Sequence, residues 1–193
     1  MDYFQEALTE MIGLGGTNAV LGAIPEPTRC PAGSAKDLEK SVDFSCYGAI
    51  CASVDALFGA AGARRVLHHA GRASFTKLLK NTAAMVGADH PGFSTRSPAA
   101  PFAIRMQSIV RLIGMVSDME CSCETDPGAI RFRIISCPEC AGRSSTGCTC
   151  HSMAGMVQAA ADWLDATTVA EVAETRCIAQ GDSQCEFSLS GSF

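Results

Sequence analysis

Eight of the 11 cysteines in this 193-residue chain fall between positions 121 and 185. They come as Cys121-x-Cys123, Cys137-Pro138-Glu139-Cys140, Cys148-x-Cys150, and Cys177 with Cys185. A structural zinc ion takes about four soft or borderline donors in a tetrahedron, and thiolates supply most such sites. The cysteine total is odd, so complete disulfide pairing leaves one thiol over. The uncharged stretch Met11–Pro25 follows Asp2, Glu6 and Glu10 rather than a basic region, which makes a poor signal peptide. Phe44–Ala63 is hydrophobic, yet Asp55 interrupts it and Asp43 bounds it, so no membrane span is expected. The expectation is a cytoplasmic, reducing setting, where clustered cysteines are metal ligands or redox groups more often than disulfides.

The rest of the composition bounds the fold. Hydrophobic residues make up 47% and charged residues 18%, which excludes global disorder. A net charge of −5 argues against direct nucleic-acid binding. A chain of this length buries roughly 70% of its unfolded surface, enough for a full core. Helices are expected over Asp2–Leu14 (stopped by Gly13, Gly15 and Gly16), Ser41–Gly59, Ala63–Gly71, Phe75–Val86, Phe102–Val116 and a segment marked by Met153, Met156, Val157, Ala160 and Leu164. Pro25–Ser34 reads as a linker and His90–Pro101 as a loop. Alternation over Met119–Glu124 and Ile130–Ile134 around Asp126-Pro127-Gly128 predicts a β-hairpin. Two more strands are expected near Thr167–Arg176 and Gln184–Ser190, with Gly181-Asp182 turning between them. Helices first and strands mainly later predict an α+β fold, an antiparallel sheet covered by helices.

Several residues carry a plain reading beside a chemical one. Cys46 and Cys51 lie on an apolar helix and read as small core hydrophobes. Cys121 and Cys123 share one strand face and read the same way. Adjacent His68 and His69 beside Arg64 and Arg65 read as a solvated helix face, as do Arg105 and Arg111. His151, next to Cys150, is either a surface residue at a helix start or a donor behind a metal ligand. Cys137-Pro138-Glu139-Cys140 has redox-motif spacing, but Ala141–Ser145 makes a poor following helix, so a metal or loop-structuring role is preferred. No nucleophile–base pair or phosphate-cradling loop appears, since Gly13, Gly15 and Gly16 do not follow a strand.

The run from Glu174 to Phe187 is the most specific stretch. A glutamate, two residues, Cys177, three residues, Gly181-Asp182, two residues, Cys185, one residue and an aromatic resembles the closing signature of the 4-vinyl-reductase (hydrocarbon-binding) domain family. Cys150 followed by Gly155 resembles that family's cysteine at the start of its last helix, and Cys137 with Cys140 a two-cysteine segment of archaeal members. The resemblance covers about residues 41–187 and is specific from Cys150 onward. It implies a compact α+β ligand-binding fold, shared with aromatic-sensor domains and vesicle-tethering-particle subunits. It also implies one zinc ion held by Cys150, Glu174, Cys177 and Cys185. The chain departs from the family in its additional cysteines: Cys148 is an alternative to Cys150, and Cys121, Cys123, Cys137, Cys140 and Cys148 are candidates for a second metal.

The expected organisation is an N-terminal helix and linker over residues 1–40 and a 4-vinyl-reductase-like small-molecule-binding domain over residues 41–190. The leading functional expectation is a non-enzymatic module that binds or senses a small apolar or aromatic molecule and carries a structural zinc. Phe102, Met106, Ile109, Ile113, Met153, Met156, Val157 and Trp163 are the expected pocket residues, with His90–Pro101 as a lid. The alternatives are an enzyme or accessory factor in tetrapyrrole vinyl reduction, and a cysteine-based metal or redox protein. A homodimer is expected, with a separate output protein if the domain signals.

Overall fold

The structure, a computed structural model, describes residues 1–26, 28, 43–82, 102–126, 129–164 and 171–191. Its elements run α1 (Asp2–Gly22), α2 (Phe44–Thr82), α3 (Phe102–Val116), β1 (Cys121–Asp126), β2 (Ala129–Ile134), α4 (His151–Leu164), β3 (Glu171–Arg176) and β4 (Cys185–Ser190). The four strands form one antiparallel sheet in the order β1-β2-β4-β3. The fold is α+β, with helices mainly N-terminal and the sheet C-terminal. The linker and lid expected at Pro25–Ser34 and His90–Pro101 lie wholly or mostly outside the described residues.

Glycine sets the helical layer. Gly13 and Gly59 have φ near +70° with extended ψ, a conformation that ends a helix and that glycine adopts at no steric cost. Thr9 Oγ1 and Thr17 Oγ1 lie 3.1 Å apart, although eight residues of straight helix would rise about 12 Å. The chain therefore turns sharply at Gly13. In α2, Tyr47 Oη donates to Ser152 Oγ at 3.0 Å, while a Cβ on Gly71 would fall 2.0 Å from the Ser152 carbonyl oxygen. A straight helix would separate Tyr47 from Gly71 by roughly 36 Å. So α2 doubles back at Gly59 into two arms, residues 44–58 and 60–82.

This corrects two expectations. Gly15 and Gly16 are helical, and the segments read as Ala63–Gly71 and Phe75–Val86 are one continuous arm as far as Thr82. Taken whole, α2 is long and apolar enough to cross a membrane. The reversal divides it, however: the first arm is too short to span a bilayer core, and the second carries Arg64, Arg65, Arg72, Lys77 and Lys80. Phe58, beside the turn, is 40% exposed.

Two cores result. One joins α1 to both arms of α2 through Phe4, Leu8, Val20, Ile50, Val54 and Leu67. The other packs the second arm of α2, α3 and α4 on the inner sheet face, where Ile130, Phe132, Ile134, Phe187 and Leu189 alternate inward. Arg105, read as solvated, is instead buried and donates through Nη1 to the Leu164 carbonyl at the end of α4. A cation there complements the helix C-terminus.

The seam between α2 and α4 has no room for side chains. A Cβ on Gly155 would come 2.0 Å from the His68 carbonyl oxygen, against backbone rather than a movable side chain. Gly155→Ala is expected to lower unfolding free energy by about 2 kcal/mol or more, the cost of overpacking a fixed contact. Gly15→Ala meets nothing within 4 Å and is expected to be neutral or stabilising by roughly 0.5–1 kcal/mol. Urea unfolding of both variants checks the contrast.

Candidate metal centre

Five sulfurs converge where the head of α4 meets the ends of the sheet. Cys140 Sγ lies 3.1 Å from Cys150, 3.4 Å from Cys185 and 3.7 Å from Cys177. Cys150 Sγ lies 3.5 Å from Cys185 and 3.6 Å from both Cys177 and Cys137. All five cysteines are buried and free. A disulfide requires about 2.05 Å, so these are contacts between separate thiols. Four sulfurs around one zinc ion at roughly 2.3 Å would stand about 3.8 Å apart, close to these spacings. An iron–sulfur cluster fits less well, because its sulfides hold the terminal thiolates apart.

Each donor is delivered by a local device. Cys137 and Cys140 flank a single 3-10 turn, Pro138–Cys140, with proline at the position that lacks a hydrogen-bonding obligation. Cys150 immediately precedes α4. Cys177 and Cys185 border a turn in which Gly181 takes φ 105° and Asp182 Oδ2 accepts the Cys177 N–H at 2.8 Å. The Ile178 N–H donates to Cys185 Sγ at 3.4 Å. Strand alternation would oppose Glu174 and Cys177, but the pairing of β3 with β4 shifts register between Glu174 and Arg176. That bulge lets both side chains face the same place.

Glu174 brings the only oxygen donor of the group. Its Oε2 accepts the Cys150 N–H at 2.8 Å, whereas its Oε1 is buried with no hydrogen-bond partner. Burial, then the neighbouring Cys177, pushes its carboxyl up to about 8. An unpaired buried oxygen is costly, and a cation would satisfy it. Two sets of four donors have all their ligand atoms within 4.8 Å of one another: Cys150, Glu174, Cys177 and Cys185, and Cys137, Cys140, Cys150 and Cys185. The crowding splits the thiol acidities. Cys140 is driven down by hydrogen bonds from Cys137 and Cys150, and Cys150 is driven up by its contacts with Cys137 and Cys140.

The other candidate ligands stand apart. Cys121 and Cys123 line the inner face of β1, where burial pushes their thiols up to about 12 and about 11. Cys148 is exposed, its Sγ 3.8 Å from Gln180 Oε1. Cys51 is a buried core thiol as expected, whereas Cys46 is buried but disulfide-bonded. His151 is pushed down to about 4 by burial, then by Arg64, and His68 is lowered by burial, then by Arg72. Both are half-buried at the seam of α2 and α4.

Sequence reasoning missed Glu139. It is fully buried, and its Oε2 accepts Ser152 N–H at 2.9 Å, Ser152 Oγ–H at 2.6 Å and Met153 N–H at 3.0 Å. Burial raises its carboxyl to about 7. Arg143 lies behind it, donating to the Glu139 carbonyl, to Thr149 Oγ1 at 2.7 Å and to Asp55. The available signal was a carboxylate inside Cys-x-x-Cys upstream of a helix start with no acidic residue in its first turn.

No family model matches the sequence, and neither does any curated protein. Solved structures do match. An H-NOX protein from S. oneidensis in the Fe(II)NO ligation state aligns with TM-score 0.60 and 15% identity, over 99% of this chain and 98% of that one. An Fe(II) unliganded H-NOX protein from K. algicida aligns with TM-score 0.61 and 11% identity, over 100% and 94%. This chain has the H-NOX fold. A trafficking protein particle complex subunit 3 from Naegleria fowleri, covalently bound to palmitic acid, aligns with TM-score 0.53 and 13% identity over 67% and 80%. Among the described residues no histidine is fully buried: His68 and His151 are half-buried and His69 is exposed.

Replacing Glu139 with glutamine removes the charge that faces the first turn of α4 and leaves the volume nearly unchanged. Glu139→Gln is expected to lower stability by about 1–3 kcal/mol, the range for a broken buried charged hydrogen bond. Chemical denaturation monitored by circular dichroism checks it.

Proposed function

We propose that this chain is a small-molecule-binding domain on the H-NOX fold whose C-terminal half is pinned by a zinc ion held by Cys150, Glu174, Cys177 and Cys185. The observation that carries this reading is the convergence of these buried sulfurs with an unsatisfied Glu174 oxygen. The resemblance of residues 150–187 to the 4-vinyl-reductase domain family names the same four residues from the sequence. Bound there, the ion supplies structural cross-linking rather than chemistry. It ties the head of α4 to the end of β3 and the start of β4. The domain binds rather than turns over its ligand. The chain acts as a homodimer and passes any signal to a separate protein.

The ligand is a small apolar or aromatic molecule held between α3, α4 and the sheet. In support, Phe102, Met106, Ile109 and Ile113 of α3 and Met153, Met156 and Val157 of α4 are buried in one cluster, with Trp163 partly buried at its edge. Methionine fills irregular space and adapts to varied partners. A hydrophobic site with few polar groups is the usual form of such pockets. Arg105, buried at the same end, gives the cluster a cationic neighbour.

Elemental analysis of protein purified without chelators is expected to find zinc. Stripping it should lower Tm by roughly 10 °C, since a ligand at 100 times its Kd adds about 3 kcal/mol and each kcal/mol moves Tm by about 2–4 °C in a chain this long. Cys177→Ser and Cys185→Ser are each expected to lose the ion, and Cys123→Ser to keep it. Absence of metal from the folded wild-type protein overturns the reading. For the pocket, Met156→Trp is expected to weaken uptake of the apolar dye anilinonaphthalene sulfonate at least tenfold, measured by fluorescence titration.

A further inference from the structure

We propose that the same pocket takes a second soft metal ion, held by Cys137, Cys140, Cys150 and Cys185, making a binuclear centre in which Cys150 and Cys185 bridge. The proposal rests on the reading of the first ion above and extends it.

The pocket holds six donors, two more than one tetrahedral ion accepts. The two sets of four, each with its ligand atoms within 4.8 Å of one another, share Cys150 and Cys185. The shared sulfurs stand 3.5 Å apart, close to the edge of about 3.8 Å of a tetrahedron with 2.3 Å arms. Two such tetrahedra joined along that edge use all six donors, Cys150 and Cys185 twice as bridges and the other four once each. The unshared pairs come from different segments. Cys137 and Cys140 arrive together on the turn Pro138–Cys140, while Glu174 and Cys177 arrive from the end of β3. One pair thus caps each ion.

Charge and burial argue the same way. Cys137 and Cys140 are each 5% exposed, and Cys150, Cys177 and Cys185 are fully buried. One divalent ion in the first set leaves Cys137 and Cys140 as spare buried donors. A second divalent ion ionises both and leaves the pocket's net charge unchanged at about −2, counting thiolate and carboxylate donors. The chemical class is a soft ion without geometric preference, zinc or cadmium, because five of the six donors are thiolates. Cys140 also lies 3.7 Å from Cys177, whereas edge-sharing tetrahedra would hold these outer sulfurs about 5 Å apart, so a second ion requires Cys140 to move away from Cys177. A single ion therefore has a competing all-sulfur shell of Cys140, Cys150, Cys177 and Cys185, and that is the alternative the experiment must separate.

The test is metal stoichiometry of the full chain, by native mass spectrometry during titration with cadmium or zinc. Two ions per chain are expected. In cadmium NMR the two resonances should couple to each other through the shared sulfurs. The double variant Cys137→Ser with Cys140→Ser is expected to fall from two ions to one with its helical circular dichroism retained, and Cys121→Ser to stay at two. The wild-type stoichiometry needs no variant to fold. One ion per chain overturns the second site: if the Cys137→Ser, Cys140→Ser variant keeps that ion the first site stands, and if it loses the ion the all-sulfur shell with Cys140 holds it instead; no ion at any concentration overturns both.

Discussion

A fully buried carboxylate organises the centre of this protein. Glu139 has no solvent to ionise into, and burying a charge costs several kcal/mol unless it is matched by hydrogen bonds. It is matched by two backbone N–H groups and one hydroxyl of the first turn of α4, where the helix dipole favours negative charge. Those contacts fix the start of α4 against the turn that carries Cys140. The 3.1 Å approach of Cys140 to Cys150 follows from this grip, because Cys140 adjoins Glu139 and Cys150 lies two residues before Ser152.

The same carboxylate explains why the helical layer matters to a site built from the C-terminal half. Arg143 lies behind Glu139 and bonds Asp55 on the first arm of α2. Tyr47 on that arm bonds Ser152, which is also bound by Glu139. Gly48 lets the Ala141 carbonyl come within 2.2 Å of where a Cβ would be, so the arm lies directly on the cysteine-bearing loop. From the other side, the Ser145 N–H donates to the Ala179 carbonyl at 2.7 Å, joining that loop to the turn between Cys177 and Cys185. The loop is therefore clamped between α2 and the sheet.

What could be read in the sequence was what short-range chemistry decides. Alternation placed Ile130, Phe132 and Ile134 on one sheet face, and the inner residues of β2 are these three. Glycine marked the reversals at Gly13, Gly59 and Gly181. Plain alternation opposes Glu174 and Cys177, so facing both inward takes either a strand end or a bulge, and the register shift between Glu174 and Arg176 is a bulge. What stayed hidden depends on contacts between distant segments. Nothing near Cys140 in sequence says that its sulfur meets Cys185, whereas the shared strand parity of Cys121 and Cys123 already reads them as core residues. Arg105 looks like any solvated arginine until the end of α4 is brought over it. Glu139 was passed over because its partners begin 13 residues later.

Sulfur, rather than more hydrocarbon, is what this junction requires. Three chain segments meet there: the turn at 137–140, the head of α4, and the strand ends at 174–185. They leave little depth for branched side chains, since glycines already bring α2 and α4 to backbone contact. Five thiols fill the space as small apolar groups when protonated. With an ion they become a cross-link whose binding free energy is folding free energy. A cross-link of this kind acts across every loop it closes, and the segments it joins enclose the whole of α4 and β3. Packing alone holds neighbours together at the close seam of α2 and α4, whereas a shared ion would also hold the turn of Cys140 to the turn of Cys177. Among the described residues, the most buried carboxylate and the densest group of donors thus occupy one junction, where the first turn of α4 is held by both.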